Sequence, residues 1–253
     1  MWPKSITSPF FINTNIYFLT GFHAKRWWII TTELWKPNKI DLGLSVGLAL
    51  LLPLLAQFLY AQVGAFVPML IYYGLAWGVV KWRRGSTGYF NKFPTRIPIF
   101  FYINVGVILL CLVCAYFAPI LHPDHNLQGV ILTALIWAPV NAATEQLLWI
   151  YIFEAWDLYP QKPKASFRIV GLLLFSAFVG LIHVMFWVSF LHTVDSTKLV
   201  GVIFVLLTTV SGFLHLVVWR QSNQMIFTFI PHFLLNLVPL FWTYYSIGPY
   251  LFQ

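Results

Sequence analysis

Residues 128–156 read "QGVILTALIWAPVNAATEQLLWIYIFEAW", a run that is apolar apart from a few polar side chains and two carboxylates. About 20 mostly apolar residues suffice for a helix to cross a bilayer, so this run predicts a membrane span. Glu154 lies within a turn of its end, where a side chain can reach the membrane surface, and we predict a structural role for it. Glu145 lies too deep for that, and a carboxylate there costs about 3 kcal/mol even on insertion scales. The run therefore predicts a membrane helix that keeps Glu145 for a tight pairing or for chemistry.

The whole chain repeats this apolar pattern. Its 253 residues are 60% hydrophobic, 19% aromatic and only 9% charged, and the mean hydropathy is +0.78. This composition excludes a soluble domain and predicts an integral membrane protein with one membrane domain. The candidate spans are 42–61, 63–80, 97–121, 128–156, 168–190, 199–219 and 225–247. We therefore predict an all-α polytopic transmembrane helix bundle of about seven spans, although the tight junction at 62–64 also allows a re-entrant pair in place of the first two.

The basic residues orient the predicted bundle. Cytoplasmic loops of membrane proteins collect Lys and Arg. With a cytoplasmic N-terminus, 14 of the 15 Lys and Arg residues fall in cytoplasmic segments, and only Lys198 falls outside. The formal net charge of +8 is then explained by topology and by attraction to anionic lipid, so nucleic acid is not an expected partner. We predict a multi-pass protein with its N-terminus in the cytoplasm.

Two further segments are assigned from composition. Residues 1–41 mix cations with tryptophans and lack the apolar core and cleavage site of a signal peptide. They predict an amphipathic interfacial segment ahead of a transmembrane domain over 42–253. Cys111 and Cys114 form a C-x-x-C pair without a second pair to complete a zinc site, which favours packing residues.

A small set of polar side chains remains inside the predicted spans. These residues are Glu145 and Gln146 in the fourth span, His183 in the fifth, His215 in the sixth, and His232 and Asn236 in the seventh. Counted from the predicted inner boundaries at 1.5 Å per residue, Glu145, His183 and His232 lie in one layer in the inner half of the membrane. His232 and Asn236 are four residues apart and share a helix face. His215 lies near a polar boundary and is expected to be structural. The others predict a polar cavity that opens toward the cytoplasmic half.

The residue types in this layer suit hydrolysis of an amide. A carboxylate and an imidazole can hold and deprotonate a water molecule, while a second histidine and an asparagine amide can donate hydrogen bonds to an oxyanion. A zinc ion bound by His and Glu is less favoured, because a carboxamide is a poor zinc ligand, and we predict no cofactor. A transporter with Glu145 as proton carrier would have related halves, and the sequence has no such duplication.

Three motifs resemble those of a known family. The stretches "EQLLWIYIF" (145–153), "VGLIH" (179–183) and "HFLLN" (232–236) are similar to the patterns Glu-Glu-x-x-x-Arg, Phe-x-x-x-His and His-x-x-x-Asn of the CPBP or Abi intramembrane proteases, relatives of the type II CAAX prenyl endopeptidases. The resemblance covers about residues 130–240. It implies an intramembrane peptidase acting on a peptide or membrane-protein substrate, lipidated or not. It also implies roles for residues: Glu145 as the water-activating base, His183 as its partner, and His232 and Asn236 on the oxyanion side.

The motifs depart from the family pattern at three positions. Gln146 replaces the second Glu, Ile150 replaces the Arg, and Val179 replaces the Phe. Losing the Glu and the Arg together leaves no unpaired buried charge, as expected for the compensated loss of a structural ion pair. The same loss also fits a catalytically inactive CPBP-like membrane scaffold, or a peptide-binding or immunity protein. Both functions stay open, and we assign Gln146 a supporting role.

Overall fold

The computed structural model describes residues 35–120, 126–185 and 194–251 of the chain. The described residues form helices without a strand, as the sequence predicts. Most of the predicted interfacial segment 1–41 lies outside them. The helices are α1 Lys39–Val63, α2 Phe66–Arg84, α3 Ile99–Phe117, α4 Leu127–Leu132, α5 Ala138–Asp157, α6 Ala165–His183, α7 Leu199–Ser222, α8 Ile226–Leu237, α9 Leu240–Thr243 and α10 Gly248–Leu251.

Helices α1 and α2 form a full antiparallel pair. Asn38 caps α1 by accepting a hydrogen bond from the Ile40 amide, which starts the helix at Lys39, just before the predicted boundary. At the far end of α2, Arg83 Nε lies 2.7 Å from Asp41 Oδ1. Helix α2 therefore returns to the level at which α1 begins, and its 19 residues cover about 28 Å. The pair is too long to be a re-entrant loop.

Six helical segments of the described chain are long and apolar enough to cross a membrane. They are Lys39–Val63, Ile99–Phe117, Leu127–Asp157, Ala165–His183, Leu199–Ser222 and Ile226–Thr243. Helix α2 is not among them, since its last turn carries Lys81, Arg83 and Arg84. Its last turn nevertheless returns to the level at which α1 begins. The chain is a multi-pass membrane protein with an all-α bundle.

Prolines shape two of the predicted spans. The fourth span is continuous from Leu127 to Asp157, but a π-helical turn lies between α4 and α5, at Thr133–Trp137. The ring of Pro139 would clash with the carbonyl four residues earlier, and a wider turn at that point relieves the clash. The seventh span, predicted as one helix over 225–247, is broken: α8 ends at Leu237, Pro239 precedes the short α9, and Tyr244 has φ of 52°.

Helix α5 is the axis of the bundle. It contacts α1, α2, α6, α7 and α8. Every residue from Glu145 to Ala155 is buried. A helix that is apolar on all sides belongs in an interior, where neighbouring helices cover each face. The Glu145 segment is therefore surrounded by protein instead of lipid.

Buried ion pairs join five helices at one end of the bundle, which we call the basic end. The pairs are Arg83 with Asp41, Arg84 with Glu154, Arg168 with Asp157, and Arg220 with both Glu154 and Asp157. Trp219 also donates a hydrogen bond from its indole nitrogen to Glu154, at 3.0 Å. Glu154 is thus structural, as predicted, but it is held by buried partners instead of reaching the surface.

The orientation of the bundle can be tested by cysteine labelling. The basic-residue bias places the α2–α3 loop in the cytoplasm and the loop before α7 outside. In a background with Cys111 and Cys114 changed to Ala, we expect Thr95→Cys to be labelled only after the cytoplasmic face is opened, and Thr197→Cys to be labelled from outside. Both positions are exposed. The reverse accessibility would overturn the topology.

Candidate functional site

Glu145 and His232 meet inside the bundle. Glu145 on α5 and His232 on α8 are both buried, and Nε2 of His232 lies 3.3 Å from Oε2 of Glu145. The continuous helix after Pro139 carries Glu145 inward, and the polar turn before α8 sets His232 one and a half turns into that helix. The carboxyl and the imidazole are thus in direct contact.

Gln146 fixes which nitrogen of His232 carries a proton. The Gln146 side-chain amide donates to the carbonyl of Ala142, so its own oxygen faces His232. That oxygen, Oε1, lies 2.8 Å from Nδ1 of His232. An amide oxygen can only accept, so Nδ1 must donate, and in the neutral ring Nε2 keeps its lone pair. The Nε2 lone pair of His232 therefore faces the Glu145 carboxyl, 3.3 Å away.

His183 stands on the other side of Trp149. Its Nδ1 lies 2.8 Å from the carbonyl of Val179, which makes Nδ1 the donor. The Trp149 ring is 5.4 Å from the His183 ring and 5.4 Å from the His232 ring. His183 interacts electrostatically with Glu145. The motif resemblance pairs Glu145 with His183, whereas in the structure His232 is the histidine in direct contact with Glu145. The depth of each residue along its own helix does not show which histidine reaches the carboxyl.

Asn236 has a buried side-chain amide without a hydrogen-bond partner among the described residues. It lies one turn after His232 and is fully buried. Neither the nitrogen nor the oxygen of its side chain has a hydrogen-bond partner among the described residues. Leaving a buried polar group unpaired costs about 1–3 kcal/mol. Such an amide is a ready donor for a group that enters beside His232.

Asn141 and Tyr73 extend the site beyond the residues found from sequence. The side chain of Asn141 makes a hydrogen bond to Glu145, and the Tyr73 hydroxyl donates to Asn141 Oδ1 at 2.7 Å. Because Oδ1 is engaged in this way, the amide nitrogen of Asn141 is the donor to Glu145. Asn141 precedes Glu145 by four residues, a same-face spacing that could have identified it.

His215 ties together the helices behind the site. Its Nε2 lies 2.9 Å from the carbonyl of Thr228, and its Nδ1 lies 3.3 Å from the amide nitrogen of Asn104. The His215 ring is 5.7 Å from the His232 ring. These contacts join α3, α7 and α8, which fits the structural role predicted for His215.

A cavity of about 50 Å³ reaches Glu145. Its described walls come from α1, α2, the end of α6 and the C-terminal segment, and Glu145 is the charged residue among them. Ala56 on this wall lies 15 residues beyond Asp41, about 22 Å from the basic end, and Pro68 lies 16 residues before Arg84, about 24 Å away. The sequence predicts a polar cavity toward the cytoplasmic half, and this cavity differs from that prediction. The cavity is mostly apolar and lies in the opposite half, because the basic half is filled by ion pairs.

The described residues contain no group of three or more His, Cys, Asp or Glu side chains arranged to hold a metal ion. Cys111 is buried and Cys114 is half-buried on α3, and both are free thiols. The site thus consists of protein side chains: Glu145 and His232 in contact, His183 beside Trp149, and the unpaired, buried amide of Asn236.

No family model, curated protein or solved structure matches the chain.

Proposed function

We propose that the protein is an intramembrane peptidase that hydrolyses a peptide bond with a water molecule activated by Glu145. The observation that carries the proposal is the buried contact between Glu145 and His232, with Glu145 on the wall of a cavity. A carboxyl and an imidazole that share one proton can take a proton from water and deliver one to a leaving group. Amide hydrolysis needs both transfers.

The proposed reaction assigns a role to each side chain of the site. With the shared proton on His232, the Glu145 carboxylate accepts a proton as water attacks the carbonyl carbon. The oxyanion that forms is stabilised by the Asn236 amide and by the protonated His232. Collapse breaks the carbon–nitrogen bond, and the proton held by Glu145 goes to the departing amine. Asn141 keeps the carboxyl in place through a hydrogen bond, and His183 packs against Trp149 next to the site.

The departures from the CPBP pattern are compatible with this chemistry. In the proposed mechanism Gln146 supplies an acceptor to His232, a task that a glutamate would also perform. Ile150, in the place of the family arginine, is fully buried in the apolar core, where a cation without a carboxylate partner would be costly. Val179 still provides the carbonyl that orients His183.

A second candidate is a peptide-binding membrane scaffold without catalytic activity. The observation that favours it is the single carboxylate of the site, since the family pattern has two adjacent ones. Such a protein would use the same cavity to hold a peptide and would leave the bond intact.

One experiment separates the two candidates. The full chain, purified in detergent or nanodiscs, is incubated with a peptide library in water enriched in oxygen-18, and the products are identified by mass spectrometry. A peptidase yields new carboxyl termini that carry the heavy oxygen. Peptides that bind to the protein and are never cut would support the scaffold instead.

Gln146 provides a finer test of the proposed proton arrangement. We expect Gln146→Leu to slow turnover by about fivefold, because a net hydrogen bond is worth about 1 kcal/mol and the Nδ1 donor of His232 loses its acceptor. Gln146→Glu keeps an acceptor at this place and should change turnover less. The rates are compared with substrate in excess and over a range of pH. Equal rates for the two variants would contradict the orienting role.

A further inference from the structure

The cavity beside Glu145 has a chemistry of its own. Its described lining includes Leu52, Met69 and Ile182, and Glu145 is its charged member. The nearby tyrosine hydroxyls are engaged: Tyr73 donates to Asn141, and Tyr72 accepts from the indole nitrogen of Trp149 at 3.1 Å. The lining is therefore a mostly apolar surface that includes one carboxyl group, that of Glu145.

This lining discriminates among occupants by charge. The described walls carry no Lys, Arg or His. A carboxylate or phosphate in the cavity would lose its water without gaining a cation, and it would face the Glu145 carboxyl. An apolar side chain loses nothing by entering.

The α2–α3 loop packs against the helices that carry the site. The Tyr89 hydroxyl donates to the carbonyl of Ala143 at 2.7 Å, and the Tyr89 ring stacks on Trp77. Gly88, with φ of 88°, lies so near Trp219 that an added Cβ would come within 2.4 Å of the ring. The loop thus contacts α5 through Tyr89 and α7 through Gly88.

We propose that the cavity is the substrate site, and that it takes an internal, uncharged, apolar stretch of a membrane-embedded polypeptide from the half of the bundle opposite the basic end. The inference rests on the proposed peptidase function. It makes the protein selective for bonds within an apolar segment and against bonds next to a free C-terminal carboxylate, since no described cation in the cavity would bind that group.

The test is photo-crosslinking to a defined probe. The probe is a synthetic peptide of about 20 leucine and alanine residues with lysines at both ends, long enough to span a bilayer, with a photoreactive leucine at its centre. The full chain with Glu145→Gln is used in nanodiscs, so that the probe stays intact. We expect crosslinks on the α1 and α2 walls, in peptides that contain Leu52 or Met69. A competitor peptide with aspartate at the centre should displace the probe at least about tenfold less well, the factor that about 1.4 kcal/mol of desolvation produces.

A matched pair of variants locates the binding. Ala56→Trp places an indole in the cavity, whereas Ala61→Trp places it on the exposed, lipid-facing side of the same helix. Crosslinking should fall by about tenfold in the first variant, a loss of about 1.4 kcal/mol in binding, and stay unchanged in the second. Equal labelling of both variants, or equal competition by the aspartate peptide, would overturn the inference. So would cavity labelling by a photoreactive phospholipid that the peptide fails to displace.

The outcomes also separate this inference from the proposed function. Crosslinking in the cavity together with an intact probe and an intact peptide library in the wild type would keep the binding site and remove the peptidase. Library cleavage that persists in Ala56→Trp would keep the peptidase and remove the cavity as its substrate site.

Discussion

Replacing Glu145 with Gln is expected to slow peptide hydrolysis by about 100-fold or more, the usual contribution of a positioned acid or base. The amide keeps the size of the carboxyl group and can still accept a hydrogen bond from Asn141 and donate one to Nε2 of His232, but it cannot take a proton from water. Folding should survive, because a neutral amide costs less to bury than a carboxylate. The measurement is single-turnover cleavage of a peptide selected from the library, with thermal unfolding recorded beside it.

Glu145→Asp is the matched control for this prediction. It keeps a carboxylate but withdraws it by one methylene from His232, so turnover should fall between the wild type and Glu145→Gln. If Glu145→Gln cleaves peptides at the wild-type rate, Glu145 is not the base and the peptidase mechanism fails. If the wild type cuts nothing and Glu145→Gln keeps full biological activity in cells, the peptide-binding scaffold takes its place.

Asn236→Leu should separate activity from stability. Losing one donor to an oxyanion typically slows turnover by about 100- to 1,000-fold. Because the Asn236 amide has no partner among the described residues, its removal should leave the free energy of unfolding unchanged or raise it. The result is read from kcat and KM together with the unfolding temperature in the same detergent. We expect kcat to fall and KM to change little.

Asn104→Leu gives the opposite signature. Asn104 is also fully buried, but its side chain accepts from Ser211 at 2.8 Å and contacts His215. Removing it leaves buried groups unpaired, which should destabilise the protein by about 1–3 kcal/mol. A destabilised Asn236→Leu with normal turnover would mean that Asn236 is structural, and the oxyanion assignment would have to be withdrawn.

Apolar runs predicted the helical bundle well, because burial in lipid leaves a composition signal that is independent of the tertiary contacts. The predicted 225–247 run is a candidate span over Ile226–Thr243, but the break in the helix at Pro239 was not predicted. The return of α2 to the level at which α1 begins follows from one contact, Arg83 with Asp41. Such a contact joins residues 42 positions apart, and periodicity along one helix cannot predict it.

The candidate site was predictable as a set of residues and less so as a geometry. Depth along each helix placed Glu145 and His232 in one layer, but it could not decide which histidine touches the carboxyl. The contribution of Gln146 was also hidden, since an amide on a membrane helix has several partners within reach. The cavity differs in position from the prediction, because the sequence shows where cations lie along the chain and not that Arg84 and Arg220 turn inward onto Glu154.

The ion pairs of the basic end give the bundle a stiffness gradient. Asp41 holds the start of α1 to Arg83 and accepts a hydrogen bond from Tyr151, whereas Ala56 lies beside an apolar cavity. Pro53 lies between these two parts of α1 and removes one backbone hydrogen bond from the helix. Buried pairs are screened little by salt, so the anchored part should stay firm at high ionic strength. We therefore expect the part of α1 before Pro53 to open less often than the part after it. Amide hydrogen exchange should be faster after Pro53 than before it.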